Sequence, residues 1–284
     1  MRKKCRVKNQ PEEVFVCLPR MGNAQTKPPE RHEMAEKTGV FALESKGLVE
    51  IPSKVWGIAN LRTLDLSHNR IAKLPAKVRG LAPKLKTLAL TDNRLSDLPD
   101  ELCECKELQT LSLGQNSLTS LPDALGALGK LKTLVLAHNR LVALPESMCA
   151  LQSLQQLDAS HNKLRALPAA FGALCMLAHA DLSDNELGGE GLPDGLGALK
   201  RLKELDLHGN APLVVHARLP PELLLDTPLQ RLELDPDLLG TDGLLLEDVA
   251  GSAEAQQAYI TRRKARIDKE VHAKERGGEI HFKQ

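Results

Sequence analysis

Between residues 38 and 246 one hydrophobic signature recurs along the chain. Leucines fall in the frame L-x-x-L-x-L-x-x-N-x-L-x-x-L-P, as in Leu131-Lys-Thr-Leu134-Val-Leu136-Ala-His-Asn139-Arg-Leu141-Val-Ala-Leu144-Pro145. Aligned on the asparagine, the copies centre on Asn69, Asn93, Asn116, Asn139, Asn162, Asn185 and Asn210, separated by 24, 23, 23, 23, 23 and 25 residues. Alternation at Thr133-Leu134-Val135-Leu136 predicts a short strand with leucines inward and Thr133, Val135 and Ala137 outward. The asparagine stands where the chain leaves the strand, a place suited to a side chain that bonds neighbouring backbone. Leu-Pro restricts the backbone beyond it. The following P-x-x-L-x-x-L spacing, as in Pro122-Asp-Ala-Leu125-Gly-Ala-Leu128, predicts a short helical or 3₁₀ return with one buried stripe.

No single coil buries its own leucines, so neighbours must stack. The predicted fold is an α/β solenoid: a horseshoe with a parallel concave sheet, short helical or 3₁₀ returns and a C-terminal helix. About nine units fill residues 38–246, the first and last degenerate. Lys46 takes the asparagine position of the first unit, and Asp237 that of the last. Residues 1–37 are expected to be a flexible N-terminal segment, and 247–284 a helix and tail. Gly188-Gly-Glu-Gly191, the lengthened return Ala211–His216, and Ala159 and Ala180 in place of inward leucines predict a local loosening or bend. In such a stack each asparagine serves the turn of the adjacent coil, forming a ladder.

These motifs resemble the leucine-rich repeat family, and the L-P-x-x-L variant resembles its intracellular, Ras-associated type. A closer similarity to one member of that type rests on Met21-Gly22-Asn23, on Lys37-Thr-Gly-Val-Phe41-Ala-Leu43, on the repeat number, and on a C-terminal helix with Ala258-Tyr259. The resemblance implies a protein-binding scaffold and, through the family's associations, a regulator of a small GTPase or a phosphatase.

Composition agrees with a repeat. Leucine supplies 54 of 284 residues and aromatics only 2%, far from ordinary globular usage. The net charge of +1 provides no bulk field for nucleic acid, and the lack of rings argues against base stacking. No nucleic-acid partner is expected. Six cysteines without a secreted, small-core context point to a reduced, intracellular protein, and Cys103-Glu-Cys105 lacks a second pair at metal-binding spacing.

Catalytic signatures are absent. Ser160-His-Asn-Lys163 fits S-x-x-K only because it is the repeat frame, and a nucleophile needs a base and an orienting group. No cofactor, no metal site and no enzyme are expected. His68, His138 and His161 share a column; a metal bridging His138 and His161 is conceivable at strand spacing, but a solvated surface is favoured.

The concave position between the central leucines reads Asp65, Ala89, Ser112, Val135, Asp158, Asp181 and Asp206. Stacked aspartates repel across a ladder. Either solvent and nearby Lys203, Lys163 and His161 screen them, or they form a docking stripe for a basic partner segment. The candidate protein-binding residues are therefore Asp65, His68, His138, Asp158, His161, Asp181 and Asp206. A surface of roughly 35 to 40 Å across eight strand spacings suits a protein or peptide.

Met21-Gly22-Asn-Ala-Gln-Thr26 matches M-G-x-x-x-[ST], the myristoylation signal, which requires Gly22 as the amino terminus. Translation from Met21 would meet that requirement, and the resemblance places its lipid anchor on this glycine. One acyl chain holds a membrane only marginally. Arg262-Arg-Lys-Ala-Arg266, in a helix expected from about Ala253 to Glu275, is the candidate second signal, against a plain solvated face countered by Asp268 and Glu270. The expected location is the cytoplasm, with peripheral membrane contact if Gly22 is acylated.

Overall fold

A computed structural model describes residues 28–188, 191–210, 223, 227–233 and 261. Nine three-residue strands pair in chain order into one parallel sheet: β1 Val40–Ala42, β2 Thr63–Asp65, β3 Thr87–Ala89, β4 Thr110–Ser112, β5 Thr133–Val135, β6 Gln156–Asp158, β7 His179–Asp181, β8 Glu204–Asp206 and β9 Arg231–Glu233. Each strand is short because the pattern offers only one leucine on each side of a single outward residue. The chain then returns through 3₁₀ turns such as Asp100–Glu104, Glu146–Ala150 and Asp194–Ala198.

Register fixes what stacks on what. Leu64, Leu88, Leu111, Leu134, Leu157, Ala180, Leu205 and Leu232 lie opposite one another from β2 to β9. All are buried in one continuous apolar core, joined by return-side residues such as Val78, Leu102, Leu125, Met148, Phe171 and Leu196. Burying a leucine side chain is worth about 2 kcal/mol, and each coil depends on its neighbours to do it.

Two expectations are corrected. The sheet does not loosen at the alanines: Leu157↔Ala180↔Leu205 keeps its register, and Ala159 and Ala180 are buried. Phe171, 1% exposed, occupies a position where other coils carry Val, Leu or Met. Its ring lines the interior beside Ala180, Leu182 and Leu205 and leaves no water-sized void. The N-terminal segment is not flexible throughout, because helix α1 spans Pro28–Thr38. Ala35 is fully buried against the core, Gly39 N–H donates to the Ala35 carbonyl at 2.8 Å, and the Thr38 hydroxyl donates to Met34 O at 2.8 Å. The helix packs against β1 and closes the first end of the stack. Met21, Gly22, the 211–216 return, Asp237 and the helix expected at 253–275, apart from Thr261, lie outside the described residues.

The return side is packed as tightly as the sheet. A Cβ on Gly126 would fall on the Ser147 carbonyl oxygen, and one on Gly172 on that of Gly195, while Gly129 faces open space. Gly126→Ala and Gly172→Ala are each expected to cost about 1–3 kcal/mol through forced backbone shifts. Gly129→Ala should stay within about 0.5 kcal/mol of the parent in urea unfolding. Equal midpoints for all three would contradict this packing.

Candidate functional site

The concave face is built from four columns that the repeat frame sets side by side. The first runs Thr63, Thr87, Thr110, Thr133, Gln156, His179, Glu204, Arg231 and the second Asp65, Ala89, Ser112, Val135, Asp158, Asp181, Asp206, as the strand register dictates. Beside them lie Ser67, Thr91, Gly114, Ala137, Ser160, Ser183 and His208, then a rim of His68, Asp92, Gln115, His138, His161 and Asp184. Together with the sheet they enclose an open groove of about 840 Å³.

The asparagines that follow the rim brace it from inside. Asn139 Oδ1 accepts the Leu118 N–H at 3.0 Å from the preceding coil. Its Nδ2 donates to Leu113 O of that coil at 3.0 Å, and to Leu136 O and Ala137 O of its own. Asn93, Asn116, Asn162, Asn185 and Asn210 repeat the same pattern. Asn69 receives two N–H donors, from Lys46 and Leu48 of the first coil. Lys46 therefore needs no asparagine of its own on the outer edge.

The residue before each ladder asparagine, like Ser45 before Lys46 at the same frame position, takes a left-handed conformation. Ser45, His68, Asp92, Gln115, His138, His161 and Asp184 all have φ between 50° and 58°. His and Asp are enriched at such positions. The histidine column thus has a backbone reason as well as a surface one, and sequence spacing alone did not reveal it. The signal was available: six polar residues and Gly209, itself at φ 69°, immediately precede the seven ladder asparagines.

Among the candidate residues, Asp65 differs from the expectation. It is 6% exposed, and its Oδ1 accepts the Ser67 N–H. Asp158 and Asp181 stay half-buried, and each carboxylate is bracketed two residues on. Ser160 N–H and hydroxyl donate to Asp158 Oδ1 at 3.1 and 2.7 Å. Ser183 does the same for Asp181 at 3.0 and 2.6 Å. Asp206 Oδ1 takes the His208 N–H and lies 2.8 Å from its Nδ1. These bonds, rather than Lys163, Lys203 or His161, hold the aspartates in place. Ser160 is 5% exposed and committed to Asp158, so it is not poised as a nucleophile.

The histidines form a chain along the rim. His68 pairs with Asp92 at 2.9 Å, and Asp184 lies 3.4 Å from His161 and 3.7 Å from His208. On the sheet His179 meets Glu204 at 2.9 Å. His138 and His161 stack with ring centroids 4.1 Å apart and 10° between planes, presenting faces to each other rather than converging nitrogens on an ion. Among the described residues no three His, Cys, Asp or Glu side chains are arranged to hold a metal. Burial pushes the Cys103 and Cys105 thiols up to about 11, helped by Asp100 for the first and by Cys103 and Glu104 for the second. Both stay protonated, unreactive thiols.

A parallel-stranded solenoid with a buried asparagine ladder and an open polar groove defines a repeat protein whose working surface is its sheet. Sequence profiles described as "Leucine rich repeat" match residues 83–141, 107–164 and 129–187, and one for two copies of the repeat matches 59–103. Residues 59–187 of the chain are thus leucine-rich repeats. It is 37% identical over 68 residues to Plant intracellular Ras-group-related LRR protein 8 of Oryza sativa, covering 24% of this chain and 18% of that one. It is 40% identical over 68 residues, with the same coverage, to an LRR repeats and ubiquitin-like domain-containing protein of Arabidopsis thaliana. The chain thus spans under a fifth of either plant relative. An LRR protein of Leptospira interrogans superposes with TM-score 0.60 at 29% identity, covering 72% of this chain and 60% of that one. Internalin C2 of Listeria monocytogenes shares the fold, with TM-score 0.60 at 20% identity over 72% of this chain and 84% of that one.

Burial chiefly, and then Asp181, raises the Asp158 carboxyl above its ordinary value, against the opposing Ser160 bonds and His138. The folded state therefore binds this proton more tightly than the unfolded chain, and stability falls as pH rises from the unfolded value of 3.8 through the raised folded one. Asp158→Asn keeps an acceptor for Ser160 without the charge. Its melting temperature is expected to exceed the parent's at pH 7 and to converge with it below pH about 4. A variant less stable at neutral pH would contradict the assigned electrostatics.

Proposed function

We propose that this protein is a non-catalytic scaffold that grips an extended segment of a protein partner along its concave groove. Leucine-rich repeat proteins are in general protein-interaction scaffolds. The observation that carries the reading here is the groove itself, about 840 Å³, whose floor from β6 to β8 carries polar side chains held in place by their own bonds. Its C-terminal half presents Asp158, Asp181 and Asp206 on adjacent strands. The Ser160 and Ser183 brackets and the His208 bond engage Oδ1 in each case. A Lys/Arg-bearing segment relieves the like-charge stacking, so the occupant of this half is basic.

The name of the rice relative, Ras-group-related, supports regulation of a small GTPase as the setting of that binding, with a phosphatase as the other candidate target. The Met21-Gly22 motif supports a second element, a peripheral membrane tether through acylated Gly22 with Arg262–Arg266 as the basic partner signal. On this reading the protein works in the cytoplasm and at a membrane surface.

Joint replacement of Asp158, Asp181 and Asp206 by Asn is expected to weaken binding of a fluorescent peptide carrying Lys at every third position by about tenfold or more. Circular dichroism should show the fold retained. Unchanged affinity in the triple variant, or no affinity in the parent, would sink the basic occupant of the acidic stripe. For the tether, intact mass of the protein made in a eukaryotic cell should show a myristoylated chain starting at Gly22. A chain starting at Met1 with no acyl group would rule it out.

A further inference from the structure

The near-zero net charge hides a division of the groove into two electrical halves. From β2 to β5 the first two columns read Thr63, Thr87, Thr110, Thr133 and Asp65, Ala89, Ser112, Val135, so the floor is neutral but for Asp65, which is buried and bonded to Ser67. Cations flank that floor on both sides. Arg62, Lys86 and Lys132 stand immediately before their strands. Arg70, Arg94 and Arg140 follow directly after the ladder asparagines. All six are exposed.

Backbone bonding sets their spacing. Lys86 N–H donates to Arg62 O at 2.7 Å, and Gln109 and Lys132 continue the series coil to coil. On the other flank Arg70, Arg94 and Arg140 N–H groups donate to Leu48, Ile71 and Leu118 of the preceding coils. Both rows carry cations in the second, third and fifth coils and a neutral residue, Gln109 or Ser117, in the fourth.

Among the described residues none of these six side chains has an acidic or hydrogen-bonding partner. Some other surface cations do, Arg79 with Glu104, Lys130 with Glu107 and Arg165 with Glu186, and beyond β5 the two rows continue only singly, at Lys163 and Lys203. The rim acid of the third coil, Asp92, is taken by His68. Unpaired like charges on adjacent coils repel one another, and they do so here along both edges of a hydroxyl-lined hollow.

We propose that the N-terminal half of the groove is the docking site for an acidic, extended peptide segment of the partner, its carboxylates reaching the flanking arginines and lysines over the threonine floor. This rests on the concave-face reading above and adds polarity to it: the occupant is acidic over β2–β5 and basic over β6–β8. A polyproline-II segment places every third residue on one side at about 9.3 Å, close to the roughly 9.6 Å between alternate parallel strands. Arg94 to Arg140, and Lys86 to Lys132, are two coils apart. Arginine forks match carboxylate oxygens two at a time. A planar anionic membrane cannot enter a hollow, and the floor offers no ring on which nucleic-acid bases stack.

The probe is a fluorescein-labelled peptide with Glu at every third position in a Pro/Ala background, measured by anisotropy against the full chain at low salt. The combined variant Arg62→Glu, Arg94→Glu, Arg140→Glu is expected to weaken binding about tenfold or more. The return-side control Lys77→Glu should leave it unchanged, and both should keep parental circular dichroism. Binding should also fall with added salt. Equal affinity in parent and triple variant overturns the proposal, as does tighter binding of a single-stranded oligonucleotide of the same charge. If the Lys peptide binds the Asp158 half while the Glu peptide does not bind at all, this inference fails and the scaffold reading stands. If neither binds, the basic occupant of the acidic stripe falls with it.

Discussion

Everything in this molecule depends on one constraint: a coil of 23 or so residues has an inside only if another coil closes it. Leucine packing supplies the driving force, but leucine alone does not say which backbone atoms face which. The asparagine does. Each Oδ1 and Nδ2 joins its own turn to the turn before it, satisfying backbone groups that the absence of regular structure would leave buried and bare. Removing one such amide would strand donors and acceptors on two coils at once. No buried side-chain polar atom among the described residues lacks a partner.

The ladder also shapes the surface. At each ladder position the preceding residue adopts positive φ. That places His68, His138, His161, Asp92 and Asp184 in one exposed row where the sheet ends. The same step that holds the core together therefore sets out the rim chemistry. Structure and recognition are not separable at these positions, because a β-branched residue there would be strained.

Much of this was legible from residues alone. Strand position, inward leucines, the 3₁₀ returns and the outward aspartate column all follow from periods of two and three within a fixed frame. What escaped had specific causes. The capping helix α1 is strongly polar along Pro28–Thr38, and its contacts are few: Ala35, Gly39 and His32, whose Nε2 lies 3.1 Å from Lys54 O. Phe171 reads as an ordinary frame residue until it is seen beside Ala180. The Asp158–Ser160 and Asp181–Ser183 brackets are local pairs two residues apart, plain in the sequence but indistinguishable there from chance. Asp65 carries the same D-x-S spacing, yet sits at 6% exposure, because accessibility depends on neighbouring coils rather than on its own.

A solenoid differs from a globular binding protein in how it divides labour along its length. Stability is nearly a sum over neighbouring coils, so surface columns are free to vary from coil to coil without threatening the fold. Here they vary in one direction. Threonines and small residues occupy the early strands between two rows of unpaired cations. From β6 onward the same columns turn to Gln156, His179 and Glu204 and to Asp158, Asp181 and Asp206. Uniform composition would give a partner no preferred position, since every coil would look alike and sliding by one repeat would cost little. A gradient of charge removes that degeneracy: displacing an oppositely polarised segment by a coil or two brings like charges together, and reversing it does so along the whole groove. Electrostatics in such a surface contributes register and orientation more than affinity, which is the property an otherwise periodic scaffold lacks.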